Sequence, residues 1–557
     1  MKKLRTVLAV LLLLAMTLTA LVSCAGGSNK KDEGGTDREE SVGTYIKDYV
    51  IIRSDNGTGN VGRITSMFKN EIAEFTKADL PVRIDVDETD KSGYEILVGN
   101  TDREESKQLL ETLSSKTKKQ AFAIRVTERK IVIVGLSEED LIMGVRYFSD
   151  NYVKTARKDN TVTIGIGESV IHRTGKVLYM TDDLHAVVLS RESDIYKPDV
   201  LDFTYNATYG KIIKLEHQKD AKNNGILFAT HENVTGSNWD LFRSDDDGKS
   251  WVELDEIPGD EKPGLYHGYH PFLYELPEDM GKYKAGTILF AGCTFSSSET
   301  IMYVAASSDL GRTWEAVGNV DVGGVYNDGD WTSEGLWEPA LAFENGRIYC
   351  FYSDEKINGT GTGHVGGHNQ RLVYKYTTDL KDWSDVYECV ATDEPNHRAG
   401  MISLTKMGNG KWAIVYEICG YNGLGCPILI KFADSLDGWD VADPGNLILN
   451  QNGQNMGSAP ATTWTPKGGE NGILFVVANG SGGSKTKCDL FMSFDYGKTF
   501  VSIDNPINTV SEGAGTRGGY SAGFYTDSEG SVYYVNNPQA YKNHKAEKLA
   551  FAKLVVY

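Results

Sequence analysis

The sequence has little positive charge. Among its 557 residues, 57 lysines and arginines stand against 77 aspartates and glutamates, and the formal net charge is −20. Proteins that bind nucleic acid neutralise phosphates with clustered basic side chains, so this acidic chain is not expected to have a nucleic-acid partner. A polyanionic substrate is disfavoured for the same reason, unless a local basic pocket overrides the overall field.

Long hydrophobic runs are rare, and the N-terminus carries one. Residues 1–23 start with basic side chains and continue as an apolar core, which predicts a secretory signal peptide. The tetrapeptide LVSC that ends at Cys24 resembles the lipobox of bacterial lipoproteins. That resemblance implies cleavage before Cys24, a lipid on its thiol, and an extracytoplasmic protein anchored to the bacterial cell membrane. The alternative is an uncleaved membrane helix followed by an unrelated cysteine.

Cysteine is also scarce, with seven residues in all. Neither a Cys-x-x-Cys pair nor a His/Cys cluster with metal-ligand spacing occurs, so no metal site and no cofactor are expected. The acidic loops would still accommodate a structural calcium ion. Export permits disulfides, and Cys419 with Cys426 is the pair to test first. Cys350 lies in an apolar strand-like run, where a buried free thiol is as plausible as a disulfide.

The N-terminal part of the mature chain divides into a linker and a small domain. Residues 24–43 are polar and aperiodic, which predicts a flexible linker. Residues 44–170 alternate strand-like and helix-like segments, which predicts an α/β domain. Its segment YEILVGNTDREES resembles the accessory domain that precedes the catalytic domain in several glycoside hydrolases. We expect a supporting role for it, because it contains no catalytic constellation.

Residues 171–557 lack helical periodicity. Short apolar runs alternate there with Gly, Asn and Asp turns, the pattern of an all-β array. One motif recurs at intervals of about 60 residues, which indicates a repeat architecture. Its copies begin at Ser244, Ser307, Thr377, Ser435 and Ser493. They resemble the Asp boxes of sialidase-type β-propellers, in which Asp accepts backbone N–H bonds across a turn. Asp246, Asp309 and Asp495 are therefore expected to be structural.

Five such motifs mark five blades of a propeller. A sixth blade can be assembled from residues 176–190 and the C-terminal strands, which would close the ring and remove the exposed sheet edge. The fold class expected is an all-β six-bladed β-propeller over residues 171–557, preceded by the small α/β domain. We expect the protein to be a monomer.

Two glutamates are candidates for chemistry. Glu338 and Glu417 occupy comparable places in successive repeats, in otherwise apolar strands. Because inner strands of a propeller converge on its axis, the two side chains could meet there. Two carboxylates are what glycoside cleavage requires, one as an acid and one as a nucleophile or base. The alternative for each glutamate alone is a solvated loop carboxylate.

A family resemblance supports this hypothesis. The segments 269–292, 337–356, 397–417 and 457–476 together resemble family 93 of the glycoside hydrolases. Membership implies a six-bladed propeller that releases arabinobiose from α-1,5-arabinan chain ends with retention of configuration. It places the catalytic glutamates at Glu338 and Glu417 and a pocket tyrosine at Tyr520. Trp337 could desolvate Glu338, so we expect Glu338 to be the acid/base and Glu417 the nucleophile.

Other side chains around these segments could bind an oligo- or polysaccharide. Aromatic faces suit the C–H side of a sugar ring, and polar groups suit its hydroxyls. The residues expected to bind substrate are Arg398, Arg517, Trp337, His270, Asp354 and Trp464. Sheet packing is the alternative for the aromatic residues, and a solvated turn is the alternative for Asp354.

Two other functions fit the same fold. An exo-α-sialidase needs three arginines around the substrate carboxylate. Arg398 and Arg517 could serve, but Arg173 is followed by Thr and Gly, without the expected Arg-Ile-Pro motif. A non-catalytic cell-surface propeller that binds glycans is the second alternative, although a pure binder would not need both glutamates.

Overall fold

The structure is a computed structural model, and it describes most of the chain from residue 44 onward. The described residues are 44–55, 59–156, 161–162, 167–197, 207–232, 238–259, 266–325, 333–356, 370–392, 394, 397–480, 488–507, 510–511, 520–541, 545–546 and 548–557. Within these ranges no helix is both long and apolar enough to cross a membrane. The signal peptide, Cys24 and the linker lie outside the described residues.

The N-terminal domain is an α/β layer structure, as expected. Its helices are Gly59–Thr76 (α1), Glu104–Lys116 (α2) and Glu138–Phe148 (α3). Two short strands, Thr44–Tyr45 (β1) and Thr161–Val162 (β7), pair with each other. The main sheet has the order Val82–Ile84 (β3), Val50–Arg53 (β2), Glu95–Val98 (β4), Lys130–Gly135 (β6), Ala121–Val126 (β5) and Ser169–Arg173 (β8). Because β8 belongs to this sheet, the domain ends after residue 173 rather than after residue 170.

The described residues from 176 onward form the propeller and one small separate sheet. Each of its first five blades is a four-stranded antiparallel sheet whose strands follow one another in sequence. Blade 1 is Lys211–Lys214 (β11), Leu227–Thr230 (β12), Leu241–Ser244 (β13) and Val252–Glu253 (β14). Blade 2 is Tyr266–Glu275 (β15), Ile288–Phe295 (β16), Thr300–Ser307 (β17) and Glu315–Gly323 (β18). Blade 3 is Leu336–Glu344 (β19), Arg347–Asp354 (β20), Arg371–Thr377 (β21) and Tyr387–Val390 (β22).

Blades 4 and 5 repeat this order. Blade 4 is Arg398–Lys406 (β23), Trp412–Cys419 (β24), Ile428–Ala433 (β25) and Asn446–Leu447 (β26). Blade 5 is Ala461–Thr465 (β27), Ile473–Val477 (β28), Leu490–Ser493 (β29) and Val501–Ile503 (β30). A small separate sheet is formed by Val510–Ser511 (β31), Gln539–Tyr541 (β34) and Lys545–Ala546 (β35).

The sixth blade closes the ring with both ends of the propeller sequence. Its order is Gly523–Thr526 (β32), Val532–Asn536 (β33), Leu549–Val556 (β36), Ala186–Tyr196 (β10) and Lys176–Met180 (β9). The N-terminal β10 thus pairs antiparallel with the C-terminal β36, from Val187↔Val556 to Tyr196↔Leu549. Both the predicted blade count and the predicted closure are confirmed.

The closing blade rests on the α/β domain. Leu184, Val188 and Tyr557 belong to the same buried apolar cluster as Phe122 and Val145. The buried Arg146 of α3 also donates hydrogen bonds to the backbone carbonyls of residues 183 and 184. The α/β domain therefore stabilises the joint between the two ends of the propeller.

The Ser/Thr-x-Asp turns connect the third and fourth strands of the first five blades. In blade 1, Asp246 Oδ1 accepts the backbone N–H groups of Lys249 and Ser250 at 3.1 and 2.9 Å. These bonds, that of Ser250 foremost, lower the pKa of Asp246 to about 2. Because strand direction alternates, these turns lie at the end of each blade opposite to the start of its first strand. The Asp-box carboxylates are engaged in hydrogen bonds within their own turns. They are therefore structural, as the sequence predicted.

Candidate active site

Each blade carries a strained residue near the start of its first strand, and in blade 5 the preceding Ser458 is strained as well. These residues adopt positive φ without being glycine, a conformation that costs free energy and persists where the surrounding structure enforces it. They are Tyr209, His270, Glu338, Met401, Ala459 and Ser521, with φ values of 54°, 51°, 60°, 57°, 53° and 55°. We call them the turn-in residues. Five of the six, all but Ala459, line one cavity on the axis of the propeller.

Bulges accompany the strain in three blades. The pairing register shifts between Tyr269 and Phe272 in blade 2, between residues 337 and 340 in blade 3, and between Gly400 and Ser403 in blade 4. An extra residue in one strand re-aims the side chain it carries. His270 and Glu338 are directed to the cavity in this way.

Glu338 is held by groups from its own blade and from the next. Its Oε2 accepts a hydrogen bond from Ser353 Oγ at 2.6 Å and from the backbone N–H of Met401 at 2.8 Å. Burial and the negative charge of Glu417 raise its pKa, against the opposing effect of Arg398. Both hydrogen bonds reach the same oxygen, so a proton on Oε1 would compete with neither.

Glu417 is fixed by the same device one blade further on. Its side chain is only 3% exposed, and Oε2 accepts the backbone N–H of Ala459, the turn-in residue of blade 5, at 2.8 Å. The backbone N–H of Met401, the turn-in residue of blade 4, donates to Glu338 in the same manner. Glu338 itself donates its backbone N–H to His270 Nδ1 at 3.3 Å. The turn-in backbone of one blade thus positions a side chain of the blade before it.

The two glutamates flank one short piece of backbone. Gly400 pairs directly with Glu417 across β23 and β24. An added Cβ at Gly400 would lie 3.7 Å from Glu338 Oε2 and 2.6 Å from Gln370 Nε2. A side chain at this position would therefore collide with Gln370, whereas the carboxylate of Glu338 lies at an ordinary van der Waals distance from this strand. The structure brings the two predicted catalytic residues together.

Arg398 lies between these acids and a third one. Its Nη2 donates to Glu355 Oε1 at 3.2 Å, and Glu355 Oε2 accepts from Ser333 Oγ at 2.7 Å. Burial opposes its charge, but Glu338, Glu355 and Glu417 together raise the pKa of Arg398. The guanidinium therefore offsets the concentrated negative charge of the site and is 31% exposed.

His270 lines the cavity as a neutral ring. Burial first, and then the charges of Lys211 and Arg398, lower its pKa to about 3. Since Nδ1 accepts from Glu338, the proton of the neutral ring is on Nε2. The ring of Tyr209 lies against it at a centroid distance of 4.2 Å. His270 can therefore donate a hydrogen bond to a sugar hydroxyl.

Tyr520 also reaches the axis, but beside blade 1 and blade 4. Its hydroxyl lies 3.6 Å from Met401 Sδ, and its ring packs edge-on against Tyr209 at 5.6 Å. The sequence predicted a pocket tyrosine at this position, and its catalytic role stays a prediction. Arg517 lies outside the described residues, so its predicted role stays a prediction.

Three predicted binding residues lie in packing positions, two of them buried and Trp464 partly buried. Asp354 is fully buried and pairs with Arg371 at 3.4 Å, so it does not reach a sugar in this structure. Trp464 packs in an apolar cluster between blades 4 and 5, and its indole donates to the carbonyl of residue 471. Trp337 is 6% exposed and stacks edge-on behind His270 at 5.6 Å. In this structure the three side chains support the packing around the site, and the prediction that they contact the substrate directly is corrected accordingly.

Three polar residues of the site were not predicted from the sequence. Lys211 and Tyr209 line the cavity from blade 1. Glu232, also from blade 1, is 2% exposed, and burial raises its pKa to about 8. Thr208 donates to its Oε2 at 2.9 Å. A signal existed, since Tyr209 precedes His270 by about one blade repeat, but blade 1 has no Trp-Glu-Pro-like segment to mark it.

A disulfide joins Cys419 to Cys426 at the rim of the site, the pair singled out from the sequence. The other four cysteines within the described residues are free and buried. Cys419 Sγ lies 3.5 Å from Glu417 Oε1. Glu417, Cys419 and Cys426 form the one group of potential metal ligands found among the described residues. Because the two sulfurs are bonded to each other, they are not available as thiolate ligands.

Removing this disulfide should affect catalysis more than folding. In the variant Cys419→Ser/Cys426→Ser, we expect kcat to fall several-fold, because the strand end that carries Glu417 loses its cross-link. The closed loop is short, so the unfolding temperature should drop by only a few degrees. Steady-state kinetics and calorimetry measure the two effects. An unchanged kcat would show that the cross-link does not help to position Glu417.

Comparisons with known proteins identify similar solved structures. No family model matches the sequence, and no curated protein matches it significantly. Among solved structures, the α-L-arabinanase of Penicillium chrysogenum complexed with arabinobiose is 27% identical, with a TM-score of 0.55, covering 66% of this chain and 98% of that one. The α-L-arabinofuranosidase of Fusarium graminearum, from glycoside hydrolase family 93 and also complexed with arabinobiose, is 25% identical, with the same TM-score and coverages. These similarities support an arabinanase-like glycoside hydrolase built on a six-bladed propeller.

Proposed function

We propose that the protein is an exported, lipid-anchored glycoside hydrolase that acts on the chain ends of an arabinan-type polysaccharide with retention of configuration. One observation carries the proposal: Glu338 and Glu417 lie on neighbouring blades, and each is fixed by a backbone N–H of the following blade. The structural neighbours that bind arabinobiose support the choice of substrate. Anchoring rests on the sequence at Cys24.

The chemistry runs in two steps. In the first, Glu338 gives its proton to the glycosidic oxygen while Glu417 attacks the anomeric carbon, so the C–O bond to the leaving group breaks and a glycosyl ester forms. In the second, Glu338, now ionised, takes a proton from water as the water attacks the anomeric carbon. The ester bond breaks, and Glu417 leaves as a carboxylate. Both residues return to their starting protonation states.

The surroundings favour this division of roles. The raised pKa of Glu338 keeps its acid form to higher pH than an ordinary glutamate, as a general acid requires. The backbone N–H of Ala459 holds the Glu417 carboxyl group at 2.8 Å, and the positive charge of Arg398 interacts with both glutamates. Arg398 lies where it could also stabilise the ionised Glu338 between the two steps.

The sialidase alternative has less support. Arg173, which precedes the first propeller strand β9, belongs to the α/β sheet, where it pairs with Ala121. Arg398 is engaged by Glu355. A glycan-binding protein without activity would not need two carboxylates with precise backbone anchors.

A substrate screen tests the proposal. The purified full-length protein would be assayed on linear arabinan, debranched arabinan, an aryl α-L-arabinofuranoside and an aryl sialoside. We expect release of short products from the chain ends of linear arabinan and no hydrolysis of the sialoside. Hydrolysis of the sialoside alone would contradict the assignment, and inactivity on all four would favour a binding protein.

A further inference from the structure

Lys211 lies at a partition between two cavities on the propeller axis. The cavity of the candidate active site, which is lined by Glu338 and His270, is called the upper cavity. A lower cavity of about 240 Å³ extends along the axis towards Glu275 and Trp412. Five residues line both cavities and therefore separate them: Lys211, Phe272, Leu404, Thr462 and Phe524. These five residues form the floor of the upper cavity, and Lys211 is the one charged residue among them.

The amine of Lys211 has hydrogen-bonding capacity to spare. Within the described residues its one hydrogen-bond partner is the carbonyl oxygen of Ala522, at 3.2 Å, although an ammonium group has three donors. Among the described residues no carboxylate forms an ion pair with this partly buried amine. Unmatched donors of a desolvated cation are costly, so a ligand with oxygen acceptors would be stabilised there.

The charges around the amine indicate what kind of ligand it takes. At the upper cavity Glu338 of β19 faces it with an attractive charge, and the neighbouring His270 and Tyr209 are neutral near pH 7. At the other end of β11, Lys214 pairs with Asp527 at 2.7 Å. A ligand carboxylate would bring its own negative charge close to Glu338 and Glu417. A neutral polyol can accept hydrogen bonds from the amine without that repulsion.

We propose that Lys211 binds hydroxyl oxygens of the terminal sugar of the substrate chain and forms the closed end of the pocket. The inference rests on the proposed function, because it assumes a glycan chain end as ligand. It also explains chain-end action, since a polymer cannot continue past Lys211 and its four neighbours in the floor. Arabinan-type chains meet the requirement, because their terminal sugars are uncharged.

The variant Lys211→Met tests the proposal, because methionine keeps the stem of the side chain and removes the donors. We expect kcat/KM on linear arabinan to fall about 10- to 100-fold, the usual effect of losing hydrogen bonds to a charged group. The dissociation constant of arabinobiose, measured by calorimetry, should rise in parallel. Lys406→Met is the matched control, since Lys406 also lies on an inner strand but is 51% exposed and pairs with Glu344. It should leave both constants unchanged.

The pH dependence provides a second readout. Burial lowers the pKa of the Lys211 amine to about 8, so its charge is lost as the pH rises through that value. The wild-type KM should therefore increase above about pH 8, and the KM of Lys211→Met should show no such increase. The variant Lys211→Gln, which retains an amide donor, should recover part of the binding if Lys211→Met folds poorly.

The outcomes separate this inference from the proposed function. An active wild type whose kcat/KM and arabinobiose affinity survive Lys211→Met would overturn the inference and leave the proposed function intact. A wild type that binds arabinobiose through Lys211 but cleaves no arabinan would support the inference and contradict the hydrolase. A wild type that neither binds arabinobiose nor cleaves arabinan would overturn both.

Discussion

Glu417→Gln is expected to lower kcat on linear arabinan by on the order of 10⁴-fold, because an amide cannot form the glycosyl ester. The substitution is nearly isosteric, and the amide oxygen can still accept the backbone N–H of Ala459 that holds Glu417 at 2.8 Å. The fold and the affinity for arabinobiose should therefore be preserved. Stopped assays with long incubation measure the residual rate, and calorimetry measures binding.

Two further variants make this result specific. Glu315→Gln changes an exposed glutamate of blade 2 and should leave kcat unchanged. Glu417→Ala leaves a space beside the anomeric carbon, so added azide should attack there and restore turnover with a glycosyl azide product. A Glu417→Gln enzyme that retains a tenth of wild-type kcat would remove this residue from the chemistry.

Glu338→Gln is expected to lower kcat on arabinan by about 10²- to 10⁴-fold, the usual contribution of a general acid. The loss should be much smaller on an aryl arabinofuranoside whose leaving group needs no proton in the first step. The second step should then limit the rate, because the variant also lacks the base. Comparing the two substrates separates the role of Glu338 from general damage to the site.

The pH profile gives an independent test of the same role. Burial and the charge of Glu417 raise the pKa of Glu338, so the active, protonated form is lost only when the pH rises through that raised value. Wild-type kcat, which does not depend on the affinity lost through Lys211, should fall on this alkaline limb, and in Glu338→Gln this limb of kcat should disappear. An unchanged alkaline limb in the variant would assign the proton to another group, with Glu232 as the next candidate.

The fold could be predicted from the sequence because each repeat contains a turn whose hydrogen bonds require particular residues close together in the chain. Ser244 and Asp246 form the same hydrogen bond as Ser493 and Asp495, at 2.9 and 2.7 Å, in turns almost 250 residues apart. Each turn needs only its own few residues, so the motif survives in the sequence and marks a blade. Closure of the ring followed from the need to cover the last sheet edge.

Side-chain direction could not be predicted to the same degree. Ser353 and Asp354 are neighbours on β20, yet Ser353 donates to Glu338 while Asp354 faces Arg371. Alternation along a strand separates the two, and the sequence does not show which one faces the axis. At Glu338 itself a positive φ and a bulge interrupt the alternation of side-chain direction along the strand. Neither feature can be read from the residue type. Lys211 was missed because a lysine at the start of a strand is typical of a solvated position.

Trapping the covalent intermediate tests the central claim most directly. Glu338→Gln would be incubated with an aryl arabinoside that has a good leaving group, and the protein would then be analysed by intact mass spectrometry and peptide mapping. We expect a glycosyl adduct on the peptide that contains Glu417, together with first-formed sugar product of the same anomeric configuration as the substrate. Product of inverted configuration, or an adduct on any other residue, would contradict it.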